Sequence, residues 1–595
     1  MSPTGAEPVE RRQRFASLWR GYGARWTLPL VIIVIIGLVA IVDHLGSNRI
    51  SQVDQTNPSV LVAARGGQAT VEMDRPWSGF NPNTAAGAAS STPTLMASVL
   101  PSAYNVSPKL VPLVNSDLLL SVEATSTSPL VIQYTINPRA VWSDGVAVSG
   151  EDFIYAWQSQ RGDGVDVDGQ ADQTASTLGY RDVSSITTGR GGKIVTVTFS
   201  TPFTDWRVMF NHLVPAHIAR RVGWNHGFDT FNPSVDLSAG PYVLQSASDG
   251  HALLVRNPRW WGTPAAIDRV AVNVASSQAA WSGALASGNR TVVQPQSFDL
   301  ASVNQVTSMP NIQSEIKPSL NLLDLEFNVT APTTSRLATR EAIAHAINRT
   351  DLLNRIFGPI DSDLVINEDH LAVAWQSNYN LSPVSAEYDL RDLGATDRLL
   401  RNVGYHEDPA GKYVDANGDQ LTVRMAVETG DAWTVDVGSE IAAQLRSVGI
   451  AVDIISVDGP TGLARAAATD GYDMALVTRT ASPYKTSTAN WYSGTVGATG
   501  TAGSQDWSNY DEPAVDQLFI EAAGALNPTT GQALYGQIDD QLWSSMVALP
   551  LFGEPALVAN GVQIANVQYN ASVNGIMWNL SSWETLKPGP PGHQN

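Results

Sequence analysis

Apolar and polar residues alternate in short runs along most of the chain, and these runs are separated by segments with helical spacing. Alternation over residues 131–136 and 194–199 predicts strands with one buried face. Apolar residues three and four positions apart predict helices over 340–357, 437–448 and 514–523. Because strands and helices are mixed throughout, the pattern indicates an α/β or α+β protein with more than one lobe.

Short sequence signals predict how some of these elements begin and end. Residues 440–454 have the pattern of a helix, a stop at Gly449 and a buried strand, which is the join of an α/β unit. The segment 411–421 is rich in Gly, Asp and Asn and predicts a hairpin turn. Ser149 and Asp152 are placed to cap the helix that follows them.

The first fifty residues have a different character from the rest. Five Arg and two Glu precede an uncharged apolar run at 26–42, which at 1.5 Å per residue spans about 25 Å, near the lower limit for crossing a bilayer. Positive charge before the run places the N-terminus in the cytoplasm and the remainder outside. The favoured interpretation is an uncleaved signal anchor. A cleaved signal peptide is one alternative, but Ala40-Ile41-Val42 is a poor match to the small-residue cleavage site that it needs. A buried core helix is the other, but it does not account for the charged residues that precede the apolar run.

Composition narrows the classes of function. The 595 residues carry 36 basic and 56 acidic side chains, a net charge of −20, which argues against nucleic acid as a partner. The length predicts about four domain-sized units, or two or three larger lobes. The absence of Cys excludes disulfides, thiolate metal sites, Cys nucleophiles and a lipid-modified N-terminal Cys.

Motifs that carry catalysis or cofactor binding are absent from the sequence. It contains no His-Glu-x-x-His, no Gly-x-Ser-x-Gly, no phosphate loop and no Gly-x-Gly-x-x-Gly. His212 and His217 have Pro215 between them and do not share a helix face. The acidic loop at 163–169 lacks suitable residues at the first and last ligand positions of a calcium loop. We therefore predict a protein that is not an enzyme and has no cofactor or metal.

Several motifs, taken in order, carry a family resemblance. Residues 134–157 hold a strand, a Ser-Asp-Gly turn and a Glu-Asp helix start. A Gly-Pro-Tyr strand start follows at 240–242, and an Arg-Asn-Pro-Arg-Trp-Trp-Gly corner at 256–262. Phe-Asn at 327–328 precedes an Arg-Glu-Ala-Ile helix at 340–349. Together they resemble the extracytoplasmic solute-binding proteins of family 5, the oligopeptide- and dipeptide-binding receptors of ATP-driven importers.

The resemblance implies an α/β, two-lobed periplasmic-binding-protein fold with an extra small subdomain. In this fold the lobes close on a ligand between them, and closure couples binding to recognition by a permease. With the N-terminal transmembrane helix added, the predicted parts are a cytoplasmic basic segment 1–25, a transmembrane signal anchor 26–42, a linker 43–58, lobe I over 59–91, 219–320 and 551–587, the small subdomain 92–218, lobe II over 321–550, and a disordered tail 588–595.

One strand of this sequence differs from the pattern of the family that it resembles. Peptide-binding relatives carry a Trp and then an Asp after the Tyr-Asp strand of lobe II, and that Asp pairs with the peptide's ammonium group. In this sequence Arg479 stands in the Trp place and Ser482 in the Asp place. Ser supplies no counter-charge, whereas Arg479 suits a carboxylate or phosphate through a bidentate fork. Alternatively, a gap misplaces both residues, or Arg479 pairs internally.

Three further residues complete the predicted ligand site. Asn81, in Phe80-Asn81-Pro82, corresponds to the first-lobe loop that lines the cleft in relatives. Trp491 and Trp507 lie in aromatic loops after the strand, where ligand contacts are common.

Two functions stay open from the sequence. One is a membrane-tethered receptor that passes a peptide-like solute to the permease subunits of an importer. The alternative is a non-transporting regulator or binder of a phosphatidylinositol-mannoside intermediate, an anionic glycolipid, as in the actinobacterial members that the chain resembles. An exported hydrolase is a third, less favoured reading. The predicted location is the cell membrane, single-pass, with the bulk of a monomeric chain extracytoplasmic.

Overall fold

The structure is a computed structural model, and it describes residues 61–469, 471–493 and 505–588. The predicted segments 1–25, 26–42 and 43–58 lie outside these ranges, as does nearly all of the predicted tail 588–595. Among the residues that are described, no helix combines the length and the apolar character needed to cross a membrane.

The strands account for the long central sheet and several small ones. In the described chain they are β1 Leu61–Ala64, β2 Gln68–Met73, β3 Tyr104–Val106, β4 Pro112–Val114, β5 Leu119–Thr127, β6 Leu130–Ile136, β7 Val183–Gly189, β8 Ile194–Phe199, β9 Tyr242–Ser248, β10 His251–Arg256, β11 Arg269–Val274, β12 Thr291–Val293, β13 Ile312–Phe327, β14 His406–Glu407, β15 Tyr413–Val414, β16 Thr422–Glu428, β17 Ala451–Val457, β18 Met474–Thr480, β19 Ala548–Gly561, β20 Ile564–Ala565 and β21 Glu584–Pro588.

The helices lie between these strands. In the same part of the chain they are α1 Ala85–Ala88, α2 Thr92–Met96, α3 Gly150–Gln160, α4 Ala216–Val222, α5 Gln278–Ser287, α6 Leu300–Thr307, α7 Leu337–Ala346, α8 Arg349–Ile356, α9 Leu393–Asn402, α10 Ala432–Ser447, α11 Gly459–Ala467, α12 Pro513–Gly524 and α13 Pro528–Ser545, with short 3₁₀ helices at Trp206–Val208, Ser385–Tyr388, Lys485–Trp491 and Gly575–Ser582.

Ten strands form one mixed sheet in the order β17-β16-β18-β13-β19-β12-β2-β11-β10-β9. Parallel strands β2, β11 and β12 belong to one lobe, called lobe I, and parallel strands β16, β17 and β18 belong to the other, lobe II. A separate antiparallel sheet, β5-β6-β8-β7, lies within the predicted small subdomain and is called the small sheet. The fold is therefore α/β with two lobes that share one sheet through β13 and β19.

The two shared strands are irregular where they pass between the lobes. Antiparallel pairing holds up to Pro318, opposite Pro555, and resumes at Leu322, opposite Gly553. Three residues of β13 therefore face Glu554 alone, which is a bulge. Proline has no N–H to donate, so the ladder is weak at this point and the strands can bend. The predicted change from lobe I to lobe II along β13 falls in this bulge.

Much of the predicted local structure is confirmed. β6 and β8 occupy the two alternating runs, and α10 and α12 occupy two of the three predicted helical segments. Ser149 and Asp152 form a reciprocal capping box at the start of α3. Gly449 ends α10 with a φ of +86°, and the predicted hairpin turn is present with Gly418 at a φ of +87°.

The prediction of a single helix over 340–357 is wrong. The chain leaves the helical conformation at Ile347, whose φ and ψ are −96° and 134°, and restarts at Asn348. The Asn348 side chain accepts a hydrogen bond from the N–H of Asp351 at 2.9 Å, and its own N–H donates to Gln444. Because these contacts satisfy a new helix start, α7 and α8 are separate helices.

Buried side chains show which parts belong together. One apolar core joins the small sheet to the sheet of lobe I. In lobe II, β13 directs Leu323 and Leu325 into the core on one face of the sheet. On its opposite face, alternation places Leu322, Asp324 and Glu326. The two acids are fully buried, so this face carries charge inside lobe II.

Candidate functional site at the end of strand β18

Strand β18 brings the predicted site residues to the bulge between the lobes. It pairs with β13 so that Thr480 lies opposite Asn321, and the N–H of Ala481 donates to Leu320 at 2.7 Å. Residues 481–493, called here the β18 loop, then turn away and form the 3₁₀ helix Lys485–Trp491. The loop therefore starts where the two lobes meet.

The Arg479 guanidinium lies in a buried ion pair. Its Nε donates to Oε1 of Glu326 at 2.6 Å, and Nη2 donates to the same oxygen. The guanidinium carbon is 5.1 Å from the ring centroid of Trp491 and 5.2 Å from that of Tyr492. Both charged side chains are at most 2 % exposed. The positive charge is therefore compensated within lobe II, as in the alternative that the sequence left open.

A second buried acid lies beside this ion pair. Asp324 is two residues from Glu326 on the same face of β13, and in the described part of the chain neither of its oxygens has a hydrogen-bond partner. Burial raises the pKa of Asp324 well above its ordinary value, although Arg479 opposes the effect. Burial also raises the pKa of Glu326 to about 7, again against Arg479. This region has more acid than base and offers little to an anion.

Ser482 lies beside a crevice between lobe II and the predicted small subdomain. Its hydroxyl accepts a hydrogen bond from the N–H of Tyr484 at 3.1 Å, and its carbonyl accepts one from Gln376 at 2.9 Å. The neighbouring crevice has a volume of about 190 Å³, and its lining comes from the β3–β4 hairpin on one side and lobe II on the other: Leu110, Val111, Pro112, Gln376, Ser377, Asn378 and Pro483.

Direct hydrogen bonds close the junction between the β18 loop and the segment after β8. Asp205 Oδ2 accepts from the N–H of Thr486 at 3.2 Å and from its hydroxyl at 2.8 Å. The Tyr484 hydroxyl donates to the carbonyl of Arg207 at 3.1 Å. Nearby, the N–H of Thr204 donates to Ala523 of α12 at 2.7 Å. Both sides of the crevice are thus held together.

A second buried ion pair fixes the β18 loop to the segment that contains Asp369. Lys485 Nζ lies 3.0 Å from Asp369 Oδ2, and both side chains are almost fully buried. Burial raises the pKa of Asp369, and the charge of Lys485 opposes this effect. The adjacent His370 contacts Asp539 through Nδ1 at 2.8 Å. These contacts hold the loop in one position, which preorganises the crevice wall.

Of the two remaining predicted residues, Asn81 lies in lobe I and Trp507 lies next to the Arg479–Glu326 ion pair. Asn81 is buried in lobe I, where its Nδ2 donates to the carbonyl of Trp224 at 3.3 Å and its Oδ1 accepts from Asn83. Phe80 beside it lines a separate groove of about 450 Å³. Trp507 is half-buried, and its carbonyl accepts from the Tyr472 hydroxyl at 2.7 Å. The backbone of Trp507 also lies beside the Glu326 carboxylate, where it lowers the pKa of that acid against the effect of burial. The structure therefore brings Arg479, Trp491 and the Trp507 backbone together, places Ser482 at the crevice, and leaves Asn81 apart.

Sequence reasoning missed Glu326, Asp205 and Tyr484. Glu326 had a weak signal, since an acid within the otherwise apolar end of β13 demands a buried partner. Asp205 and Tyr484 contribute only through contacts across 277 to 281 positions, which no local pattern reveals. Within the described ranges, no three His, Cys, Asp or Glu side chains are grouped to hold a metal ion.

Two lobes that share crossing strands, with a crevice where the strands end, define the class of two-lobed solute-binding proteins. The chain belongs to the bacterial extracellular solute-binding proteins, family 5, because the family model "Bacterial extracellular solute-binding proteins, family 5 Middle" matches residues 114–501. The resemblance seen in the sequence motifs is thereby confirmed.

Named relatives come from mycobacteria. The oligopeptide-binding protein OppA of Mycobacterium tuberculosis is 28 % identical over 527 residues, which is 87 % of this chain and 84 % of the relative. The probable monoacyl phosphatidylinositol tetramannoside-binding protein LpqW of the same species is 25 % identical over 418 residues, 64 % of this chain and 63 % of the relative.

Solved structures agree on the fold. The periplasmic EDTA-binding protein EppA superposes with a TM-score of 0.79 at 24 % identity, covering 91 % of this chain and 99 % of that protein. The oligopeptide-binding protein AppA of Bacillus subtilis, in complex with a nonapeptide, gives a TM-score of 0.70 at 14 % identity, with 88 % and 100 % covered. At these identities the comparison supports the two-lobed fold alone.

Proposed function

We propose that this chain binds a peptide-like solute in the crevice beside Ser482 and presents it to the permease of an ATP-driven importer, without transforming it. The observation that carries the proposal is the crevice itself, which lies between the predicted small subdomain and lobe II at the end of β18. Family membership and the likeness to a relative named as an oligopeptide-binding protein support it.

The charge distribution favours a peptide over an anionic headgroup at this site. The sequence predicts that an anionic ligand uses Arg479. In the described structure Glu326 engages Nε and Nη2 of that residue, Nη1 has no hydrogen-bond partner, and Asp324 adds further acid. A bound anion would have to compete with a carboxylate that is already desolvated. The ligand role of Arg479 stays a prediction. It is contradicted if Arg479→Ala leaves the affinity for an identified anionic ligand unchanged.

Binding of a phosphatidylinositol-mannoside intermediate is the second candidate. It is supported by the similarity to LpqW, whose name states such a ligand. That similarity covers less of both chains than the similarity to OppA. A headgroup of this kind would have to displace Glu326 from Arg479 or use another basic site.

Native mass spectrometry of the full chain, released from detergent after purification from its own host, separates the two candidates. Co-purified peptides support import, and a phosphoglycolipid supports the second function. Purification of the same chain with Ser482→Trp, which fills the crevice edge, is the control: a ligand that binds there should be lost.

Placement in the envelope follows from the family and the N-terminal segment. We infer that residues 26–42 tether a monomeric chain to the cell membrane with its lobes outside. Family membership in the extracellular solute-binding proteins supports the outside location. Carbonate extraction of membranes tests the tether. The full chain should stay in the membrane fraction, and a chain in which a cleavable signal peptide replaces 26–42 should be extracted.

A further inference from the structure

The lobe II wall of the crevice is the tip of a loop whose two ends are tied to one carboxylate. Residues 370–380, called here the crevice loop, line the crevice with their tip, residues 376–378. Oδ1 of Asp539, in α13, accepts from the backbone N–H of His370 at 2.9 Å and lies 2.8 Å from Nδ1 of the same residue. Oδ2 accepts from the Asn380 side chain at 2.9 Å. A single side chain of α13 therefore fixes both ends of this wall.

Both ring nitrogens of His370 face oxygen acceptors. Opposite Nδ1 is the Asp539 carboxylate, and Nε2 lies 3.2 Å from the carbonyl oxygen of Ala548 in β19. Imidazole is a stronger base than a carboxylate, and two further N–H groups donate to Asp539, so the proton between the two side chains belongs to Nδ1. A carbonyl oxygen only accepts, so Nε2 also carries a proton. A ring that donates through both nitrogens is the imidazolium.

Charge balance among the buried side chains supports the same assignment. Asp369 and Asp539 are both fully buried, and Lys485, 3.0 Å from Asp369, brings one positive charge for the two carboxylates. Burial raises the pKa of Asp369, and the charge of Asp539 adds to the effect, so the two acids lie close together. Protonated His370 supplies the second positive charge. A neutral ring would leave an excess negative charge away from water, which is unfavourable.

Aromatic side chains and acids make up the rest of the surroundings of this ring. The ring centroid of His370 lies 5.9 Å from that of Tyr492 in the β18 loop and 4.8 Å from that of Trp543 in α13. Burial raises the pKa of the Tyr492 phenol, so this side chain stays neutral. The titratable groups around His370, over the elements packed there, are Asp369, Asp539, Lys485, Tyr379, Tyr492 and Asp324, with the Arg479–Glu326 pair beyond Tyr492.

We propose that His370 is held as the imidazolium and positions the crevice loop, so that loss of its proton weakens binding of the solute. When the proton leaves, one ring nitrogen loses its hydrogen bond and Asp539 keeps an uncompensated buried charge. Because Asp539 ties both ends of the loop, the tip is then less well preorganised for the solute. The effect on binding rests on the proposed function, whereas the charge state of His370 does not.

Nitrogen-15 NMR of the full chain in detergent, labelled at His, reads the charge state directly. At pH 6 the ring of His370 should show two protonated nitrogens, and the loss of these signals in His370→Gln assigns them. Asp539→Asn keeps an oxygen acceptor for Nδ1 but removes the negative charge, and should convert the ring to a form with one protonated nitrogen at the same pH. A neutral ring in the wild type at pH 6 overturns the charge assignment.

Retention of a random pentapeptide library at sub-saturating concentration, counted by mass spectrometry from pH 6 to pH 10, tests the positioning role. Charge changes of the peptides themselves are common to all variants. The wild type should retain about tenfold more peptide than His370→Gln at pH 6, and the two should converge over the pH range in which NMR shows the proton to leave. His406→Gln, at an exposed position in β14, should follow the wild type at every pH.

The outcomes separate this inference from the function on which it rests. Parallel retention profiles of the wild type and H370Q overturn the positioning role of His370 while peptide binding stands. If the wild type retains no peptide at any pH, the proposed function and the positioning role both fail, and the charge state is decided by NMR. Where H370Q does not fold, Asp539→Asn takes its place in both measurements.

Discussion

The sequence was enough to predict that Arg479 makes a charged contact, but not which group it contacts. Its type and place in the strand indicated a charged contact, and the structure shows one. The partner, Glu326, lies 153 positions away and becomes adjacent only because β13 pairs with β18. Residue chemistry could therefore be predicted, whereas the choice between a ligand and an internal acid depends on strand pairing that no local pattern encodes.

Removal of Arg479 should strongly destabilise the fold. Arg479→Ala leaves Glu326 as an uncompensated buried acid beside Asp324, and we expect the free energy of unfolding to fall by about 3–5 kcal/mol. Urea denaturation followed by tryptophan fluorescence measures the change. The matched control is Arg355→Ala, which removes the exposed pair with Asp351 and should leave the midpoint nearly unchanged.

The double variant Arg479→Met/Glu326→Gln tests the same pair further. Because it removes both charges, it should recover much of the stability that Arg479→Ala loses. Equal loss in the single and double variants would show that packing against Trp491, and not charge compensation, is what Arg479 contributes.

Glu554, at the bulge, should make stability depend on pH. Its oxygens accept from Thr478 at 3.0 Å and from Asn321 at 3.1 Å, and burial, with the charges of Asp431 and Glu428, raises its pKa from 4.5 to about 7. The folded state therefore holds this proton more tightly than the unfolded chain. Its contribution is present in full below pH 4.5 and is lost as the pH rises to about 7.

The variant Glu554→Gln removes this titration. The free energy of unfolding of the variant minus that of the wild type should be about 3 kcal/mol higher at pH 8 than at pH 5. Urea melts at both pH values measure this. Exposed Glu123→Gln serves as the control, and identical pH slopes for wild type and E554Q would contradict the prediction.

Elements were easiest to predict where pattern and end signal agree. β8 matches its alternating run residue for residue, and the capping box of α3 could be predicted from Ser149 and Asp152 alone. The break between α7 and α8 could not, because Asn348 also fits a helix interior. The new helix start combines the Asn348 side-chain cap with a hydrogen bond from its N–H to Gln444 of α10, and the second contact is a tertiary effect.

Two glycines allow the cost of backbone strain to be measured separately from the cost of a steric clash. Gly418 and Gly449 have nearly equal positive φ values, +87° and +86°. A Cβ on Gly418 would meet open space, whereas one on Gly449 would collide with the carbonyl of Gly411. Gly418→Ala should therefore cost about 1 kcal/mol and Gly449→Ala at least about 3 kcal/mol, by chemical denaturation. Similar losses in both variants would mean that the backbone conformation alone decides the effect.

The second helix start can be tested in the same way. Asn348→Ala removes the side-chain acceptor for the N–H of Asp351 and should lower the free energy of unfolding by about 1 kcal/mol. Asn354→Ala, an exposed change within the same helix, should be neutral or slightly stabilising. A null effect at position 348 would show that the contact with Gln444 is sufficient to start α8.

For the whole molecule, ordered motifs were enough to predict a two-lobed architecture, because they mark turns and strand ends that recur across the family. They could not predict which surfaces meet at the crevice. Those contacts, such as Asp205 with Thr486, join segments that are far apart in sequence and depend on how the lobes are brought together.

The junction can be locked covalently, since the chain has no Cys of its own. The N–H of Thr204 and the carbonyl of Ala523 are hydrogen-bonded at 2.7 Å, so the two backbones are in direct contact across the junction. In Thr204→Cys/Ala523→Cys, oxidation should slow the exchange of a bound fluorescent peptide at least about tenfold, and reduction should reverse this. Each single Cys variant is the control. Unchanged exchange after complete cross-linking would show that solute enters without opening this junction.

The three-against-one mismatch opposite Glu554 also bears on how such a chain can change over generations. Pairing is regular from Ile312 to Pro318, resumes at Leu322 and shifts once more between Leu323 and Asp324, so the stretch between Pro318 and Leu322 works as a spacer. Lengthening it by two residues preserves which side chains point inward, whereas a change of one inverts them on one flank. Even-numbered insertions at this spot thus offer a route to resizing the gap for bulkier cargo without redesigning either half.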